Sequence, residues 1–479
     1  MKKIKGICIP HYKNTAIHIP ELLPTPPEVR LPLSMHSGVP ANPVVTMTMT
    51  VTMAMAVTVA VGDLVKVGQM LGEAVAGKGV STPVHASVSG KVKSIDDFDP
   101  ITGEKALSIV ISTDGKQAVY DELNPPVITN TAEFLNAVQN SGVVELSGAG
   151  YAEGTGLDYI LINSVECEPC VTADARTMID NAEDVFEAAV LLMKYIKPRQ
   201  IIFCIGDNNP EAIEKLKVLT APIESMSVHS LPYKYPQGKK KVLVYNVTGR
   251  LIPEDGCLAD IGCAVVDCTT ASVFAKYIKT GMPYTHKIVT VGGSGVKNPK
   301  NVIVPLGTAI KYLFDYCGGL TDDATKIIMG GSMRGKAVPS LEMPLTKTVS
   351  AVFALNEKDS EPPDETACIR CGHCISKCPM NLMPSFIEDA FEQKNSGMLD
   401  KLKVNLCIEC GCCAYLCPAK RPLAQIMALS KRIGKKSGAD NGGTRKIPGD
   451  DEKAGFGEAE TSESGPAADK ATENMLRET

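Results

Sequence analysis

Cys368-Ile-Arg-Cys371-Gly-His-Cys374-Ile-Ser-Lys-Cys378-Pro379 recurs further on as Cys407-Ile-Glu-Cys410-Gly-Cys-Cys413-Ala-Tyr-Leu-Cys417-Pro418. Both runs read Cys-x2-Cys-x2-Cys-x3-Cys-Pro. In that spacing three neighbouring thiolates cap three irons of a cubane, and the fourth crosses to the twin cluster. The arrangement assigns Cys368, Cys371, Cys374 and Cys417 to one [4Fe–4S] cluster, and Cys407, Cys410, Cys413 and Cys378 to the second. Pro379 and Pro418 end the loops, while Gly372 and Gly411 relieve crowding where backbone N–H groups approach sulfur. Zinc prefers separated Cys-x2-Cys pairs to two such runs. Cys412 reads as an extra thiol outside the ligand set, and His373 as an exposed ring. Residues 360–432 are thus expected to form a two-cluster, ferredoxin-like domain of short helices.

Outward from these runs, the chain is too long for one core: its 479 residues predict several domains. A net charge of −5 supplies no basic excess to neutralise phosphates, so nucleic acid is not an expected partner. The opening Met1-Lys-Lys-Ile-Lys-Gly6 lacks the apolar core of a secretory signal. Seventeen cysteines, many in short regular spacings, therefore read as reduced metal ligands rather than disulfides. Cys204, Cys257, Cys263, Cys268 and Cys317 read as small buried side chains. The basic run Lys239-Lys-Lys241 reads as a solvated surface. Val44–Val61 is uncharged, but Met and Val at odd positions alternate with Thr and Ala at even ones. That period of two predicts an extended strand rather than a membrane helix.

Residues 1–125 read as a Pro-rich extended segment followed by a β sandwich of the biotinyl/lipoyl kind. Gly62-Asp63, Gly68-Gln69 and Gly72-Glu73 punctuate its strands, and no Met-Lys-Met carrier turn is present. Residues 126–285 alternate helix and strand: a helix over 132–140, a strand over 159–162, a helix over 181–197, a strand over 201–205 and a helix over 210–219. Val242–Tyr245 is open between the two states. This alternation predicts a multidomain α/β protein with a largely parallel sheet. Residues 286–340 return to β character, and beyond Lys435 the composition cannot bury enough apolar surface to order the segment 436–479.

Over about residues 5–432 the chain resembles the RnfC family, whose members are subunits of the Rnf/Rsx ion-translocating electron-transport complex. The likeness rests on Leu31-Pro-Leu-Ser-Met-His-Ser-Gly38, Pro83-Val-His-Ala-Ser-Val-Ser-Gly90, Val165-Glu-Cys-Glu-Pro169 with Thr172-Ala-Asp174, and Lys234-Tyr-Pro-Gln-Gly238. Lys297-Asn-Pro-Lys300, Cys317-Gly-Gly319 and both cysteine runs extend it. The resemblance implies a barrel-sandwich hybrid at the N-terminus and an FMN/NADH domain similar to the flavin subunit of respiratory complex I. A soluble-ligand-binding β-grasp (SLBB) module is implied over 286–345. It also implies a peripheral protein on the cytoplasmic face of the membrane. Its partners would be the other subunits of the complex, including integral membrane and ferredoxin-like ones, and NAD(H).

The resemblance places FMN and NADH at Gly148, Ala149 and Gly150 and at Asn163, Glu166 and Glu168. The Gly-rich turn departs from the family pattern: Glu145 replaces its first glycine, Glu153 stands where Thr is expected, and the following Lys-bearing segment is missing. Two carboxylates repel a diphosphate, by about 1 kcal/mol each at a partly exposed site. Asn163, Glu166 and Glu168 read either as this site or as a solvated β–α loop with a Glu capping a helix. Three functions stay open: an NADH- and FMN-using electron-input subunit, an iron–sulfur relay without a nucleotide site, and a cobalamin-reductase-like protein. Cys167-Glu-Pro-Cys170 is a further Cys-x2-Cys pair.

Overall fold

The computed structural model describes residues 5–35, 55–74, 82–99, 106–144, 146 and 156–438. Gly148, Ala149 and Gly150 lie outside these, as do 44–54 of the Thr/Met-rich stretch and 439–479. Met55–Val57, at the end of that stretch, is a strand. Lys436–Gly438, expected to be disordered, instead complete the last helix, Leu423–Gly438.

The N-terminal part is the expected sandwich. Glu28–Pro32, Ala106–Thr113, Gly90–Phe98 and Leu64–Val65 form one antiparallel sheet, and Met55–Val57, Met70–Ala74 and Val84–His85 the other. Alternate residues Val29, Leu31, Val92, Ile109 and Ile111 point into one core, as the period of two requires.

The α/β layer is a four-stranded parallel sheet in the order Met226–Leu231, Gln200–Gly206, Tyr159–Ser164, Cys263–Asp267. Its strands are apolar on both faces because both are covered. Ile160, Ile162, Ile201, Phe203, Ile205 and Val266 face one core with helices Ala182–Tyr195 and Cys268–Thr280. Leu161, Ile202, Cys204 and Val265 face the other with Val242, Leu243 and Val244. Val242–Tyr245 is therefore helical, within Lys240–Thr248. Ile408, Cys410 and Cys412 of the second cysteine run belong to that second core, so this run is packed onto the face of the sheet.

The β-grasp part is a six-stranded sheet, in which helix Ile310–Tyr316 interrupts the expected β stretch. Ile310, Leu313 and Phe314 of that helix bury against Val289, Val291, Val302 and Val304. The N-terminal segment supplies the edge strand, Glu21–Leu22 beside Val302–Ile303. Two further expectations are corrected. Lys239, Lys240 and Lys241 are half-buried rather than solvated, with the Lys239 ammonium 3.8 Å from Glu168. Cys257 is exposed, whereas Cys204, Cys263, Cys268 and Cys317 are buried.

Candidate functional site

In the parallel sheet the chain moves outward from Tyr159–Ser164 through two strands, then returns to lay Cys263–Asp267 on its other side. The carboxyl ends of Tyr159–Ser164 and Cys263–Asp267, where the strand order reverses, are the switch point at which open α/β sheets bind ligands. Asn163 stands there. Its amide donates to Asp267 Oδ1 (2.8 Å) and to the Gly238 carbonyl (3.2 Å), and its oxygen accepts from the Val165 N–H.

The loop that follows is neither solvated nor idle. The Glu166 carboxylate accepts from the Asp174 N–H (2.8 Å), in the first turn of helix Ala173–Asp180, so the capping expectation holds. The solvated half fails: Glu166 is buried, and burial pushes its carboxyl up to about 7 against the pull of Lys13. Lys13 enters from the N-terminal segment. Its ammonium lies 3.4 Å from Glu166 Oε2 and donates to the carbonyls of Glu166 (2.9 Å), Glu168 (2.9 Å) and Val171. Glu168 accepts from the Met333 N–H of the β-grasp loop (3.0 Å), and a Cβ at Gly331 would collide with its carboxylate. Burial and the neighbouring Asp267 together raise the carboxyl of Asp174. Sequence reasoning missed Lys13 and Asp267 as parts of this edge. Nothing local marks a lone Lys in a Pro-rich segment as the partner of a loop about 150 residues away.

The two cysteine runs repeat each other in backbone. Arg370 and Glu409 are left-handed (φ 54° and 52°), as are Gly372 and Gly411 (72° and 76°) and Asn381 and Lys420 (55° and 53°). A one-turn helix follows each glycine, His373–Ser376 and Cys412–Tyr415. Their surroundings differ. Cys407, Cys410, Cys413 and Cys378, with Cys412 beside them, line one small cavity between the first thiols of the second run and the last thiol of the first. Backbone N–H groups point at these sulfurs: Glu409 at Cys407 Sγ and Leu382 at Cys378 Sγ, both 3.3 Å. Burial holds the Cys407 thiol up near 12, so it would ionise near neutral pH only with a cation beside it. Cys368 and Cys371 are exposed, Cys374 is buried and Cys417 half-buried. His373 is exposed and Cys412 buried.

Among the described residues no three His, Cys, Asp or Glu side chains converge on a single ion. A cubane asks for something else, since each of its thiolates caps a different iron. Five thiols line the cavity, the four of the expected set and Cys412, and N–H donors aimed at two of the sulfurs fit that demand.

The second run touches the α/β layer directly. The buried Tyr235 hydroxyl donates to the Cys410 carbonyl (2.6 Å), and Arg334 Nε to the Glu409 carbonyl (3.3 Å). Four family models match the chain: RnfC barrel sandwich hybrid domain over 46–116, Nuo51 FMN-binding domain over 138–275, SLBB domain over 288–337 and 4Fe-4S dicluster domain over 363–436. The C subunit of the Na(+)-translocating ferredoxin:NAD(+) oxidoreductase complex of Acetobacterium woodii is 34% identical over 445 residues, 89% of this chain and 96% of that protein. The chain belongs to the RnfC family. The corresponding subunit of the proton-translocating complex of Clostridium ljungdahlii is also 34% identical to this RnfC chain, over 78% of it and 81% of the relative. Among solved structures, an NAD+-reducing [NiFe]-hydrogenase in the H2-reduced state aligns over 64% of the RnfC chain and 60% of its own at 13% identity, with a TM-score of 0.43.

The domain matches give this RnfC protein two kinds of cofactor, iron–sulfur clusters and FMN. As a member of the family it is one subunit of a multi-subunit electron-transfer complex. No helix among the described residues is long and apolar enough to cross a membrane.

Proposed function

We propose that this protein is the electron-input arm of a ferredoxin:NAD+ oxidoreductase complex that couples redox to Na+ or H+ movement. The observation that carries the reading is the packing of the second cysteine run against the sheet whose carboxyl edge holds Asn163, Glu166 and Glu168. FMN supplies the step between two-electron hydride chemistry and one-electron transfer, and each cubane stores one electron. The chain's own residues hold and space these groups. Asn163 bridges the switch point, Lys13 fixes the carbonyls of the acidic loop, and Gly148, Ala149 and Gly150 would bring backbone N–H groups to a phosphate. Cys407, Cys410, Cys413 and Cys378 would hold an inner cluster beside this edge. Cys368, Cys371, Cys374 and Cys417 would hold an outer one, whose exposed Cys368 and Cys371 suit a partner's approach. Electrons would then run between nicotinamide, flavin, inner cluster, outer cluster and a ferredoxin-like or integral membrane partner on the cytoplasmic face. The boundaries 1–125, 126–285, 286–345, 360–432 and 436–479 serve as the corresponding division of labour.

Interlocked ligation is tested with Cys378→Ala. Its loss is expected to abolish the EPR signal of the second run's cluster while the first run's cluster keeps its own. Selective loss of the first run's cluster would refute the pairing. The whole role is tested by NADH–ferricyanide reductase activity of anaerobically purified protein. A second reading, a relay without nucleotide chemistry, is favoured by Glu145 and Glu153 in the Gly-rich turn. Full clusters with no flavin uptake and no NADH activity would establish it.

A further inference from the structure

The two halves of the cluster domain carry opposite charges at equivalent places. Two residues after the first cysteine of each run stand Arg370 and Glu409. Lys431 lies as far beyond Cys417 as Glu392 lies beyond Cys378. Glu392 is exposed on helix Pro384–Glu392 and is held by Arg421 at 3.0 Å. Lys431, by contrast, is 4% exposed and turned inward. Its ammonium donates to the Cys407 carbonyl (3.0 Å) and to Glu409 Oε1 (2.6 Å).

A buried ammonium among cluster-loop carbonyls acts through little intervening water, so its field on the cavity is weakly screened. One-electron reduction of a cubane adds one negative charge and no proton. Cluster potentials respond to local charge, sulfur hydrogen bonds and exposure. The Lys431–Glu409 pair sets a cation against the Cys407 end of the loop and an anion 2.6 Å beyond it. Arg334 and Lys336 also face this pair from the β-grasp side. The first run offers no such buried cation among its described neighbours: Arg370 is exposed, and Arg421 answers three carboxylates, Glu365, Glu388 and Glu392.

The geometry points to Lys431 and Glu409 as an opposed pair of potential-setting residues for the inner cluster, Lys431 favouring its reduced form and Glu409 its oxidised form. Both are positioning residues that touch the ligand loop and not the irons. The inference rests on the cluster reading above.

The test is an EPR-monitored redox titration of the full chain with both clusters loaded, using dithionite as the electron donor. Signals are assigned with Cys371→Ser, which perturbs the outer cluster. Lys431→Met is expected to lower the inner midpoint and Glu409→Gln to raise it, with Lys431→Arg near wild type and the outer midpoint unmoved in all three. A purely structural role would shift both clusters, or shift the inner one in the same direction for both substitutions. Either result, or an unmoved inner midpoint, overturns the inference. Should Lys431→Met fail to retain inner-cluster iron and sulfide, Glu409→Gln alone decides, and the absence of a rise is fatal. Zinc in place of iron in the wild-type protein would instead remove the cluster reading itself.

Discussion

Glu166 shows how a single side chain acquires a property its sequence position does not announce. Ordinarily ionised above pH 4.5, its carboxyl is held up to about 7 because burial outweighs the nearby Lys13. A raised carboxyl binds more protons folded than unfolded, so this site's contribution to stability is complete below pH 4.5 and lost as pH rises through 7. Glu166→Gln should remove that dependence. Measured by urea unfolding, the variant's stability relative to wild type is expected to climb between pH 4.5 and 7, by at most about 1.4 kcal/mol per pH unit. Lys13 has the larger structural stake, with three backbone carbonyls and one carboxylate on its ammonium. Lys13→Met leaves the three carbonyls buried without that donor and the Glu166 carboxylate with the Asp174 N–H alone, and should cost about 3 kcal/mol in the same assay. A cost no larger than that of an exposed lysine would show that the loop holds itself.

At the scale of elements, the cysteine loops test whether sequence repetition means energetic equivalence. Gly372 and Gly411 share a left-handed backbone, and an Ala at either carries that conformational cost of about 1 kcal/mol. A Cβ at Gly372 would meet open space, whereas at Gly411 it would sit 3.2 Å from the Met333 carbonyl of the β-grasp loop. Gly411→Ala is therefore expected to destabilise by about 1 kcal/mol more than Gly372→Ala. It should also loosen the contacts of the cluster loop with the β-grasp loop and the α/β layer, seen as faster amide exchange at Arg334 and Tyr235. Equal costs for the two would mean that the packing at Met333 is slack. The repeat in residues 368–379 and 407–418 was plain from spacing; that only the second loop is wedged between domains was not.

At the scale of the whole molecule, one buried lysine ties three parts together. Lys347, just before the last β-grasp strand, Ala351–Asn356, donates to the Pro83 carbonyl of the sandwich (2.9 Å) and to the Gly142 carbonyl of the α/β layer (2.7 Å). His85, also buried there, has an Nδ1 without a hydrogen-bond partner among the described residues, and its pKa is lowered to about 3 by burial and by Lys347. Burial lowers Lys347 itself to about 7. The folded state then binds fewer protons than the unfolded one between about 7 and the ordinary 10.5, so stability rises with pH across that window. In Lys347→Met this slope, at most about 1.4 kcal/mol per pH unit, should vanish. Denaturant midpoints at about pH 7 and pH 9.5, inside that window, measure it, and an unchanged slope would assign the pH dependence elsewhere.

What the amino-acid order determined unaided was most of what depends on short spacing, although helix Ile310–Tyr316 escaped it. The thiol triplets are legible as a candidate cubane ligand set because they are near neighbours, and the period of Ile160–Ile162 or of helix Ala182–Tyr195 is a property of one segment. Only the tertiary structure decided that Lys13 holds the acidic loop, that Lys239 is half-buried beside Glu168, and that the second cysteine run is the inner one. Each of these depends on a charge or a carbonyl meeting a partner from a distant part of the chain. Such a meeting is fixed by how layers pack, and packing leaves no periodic trace in the residues that take part in it.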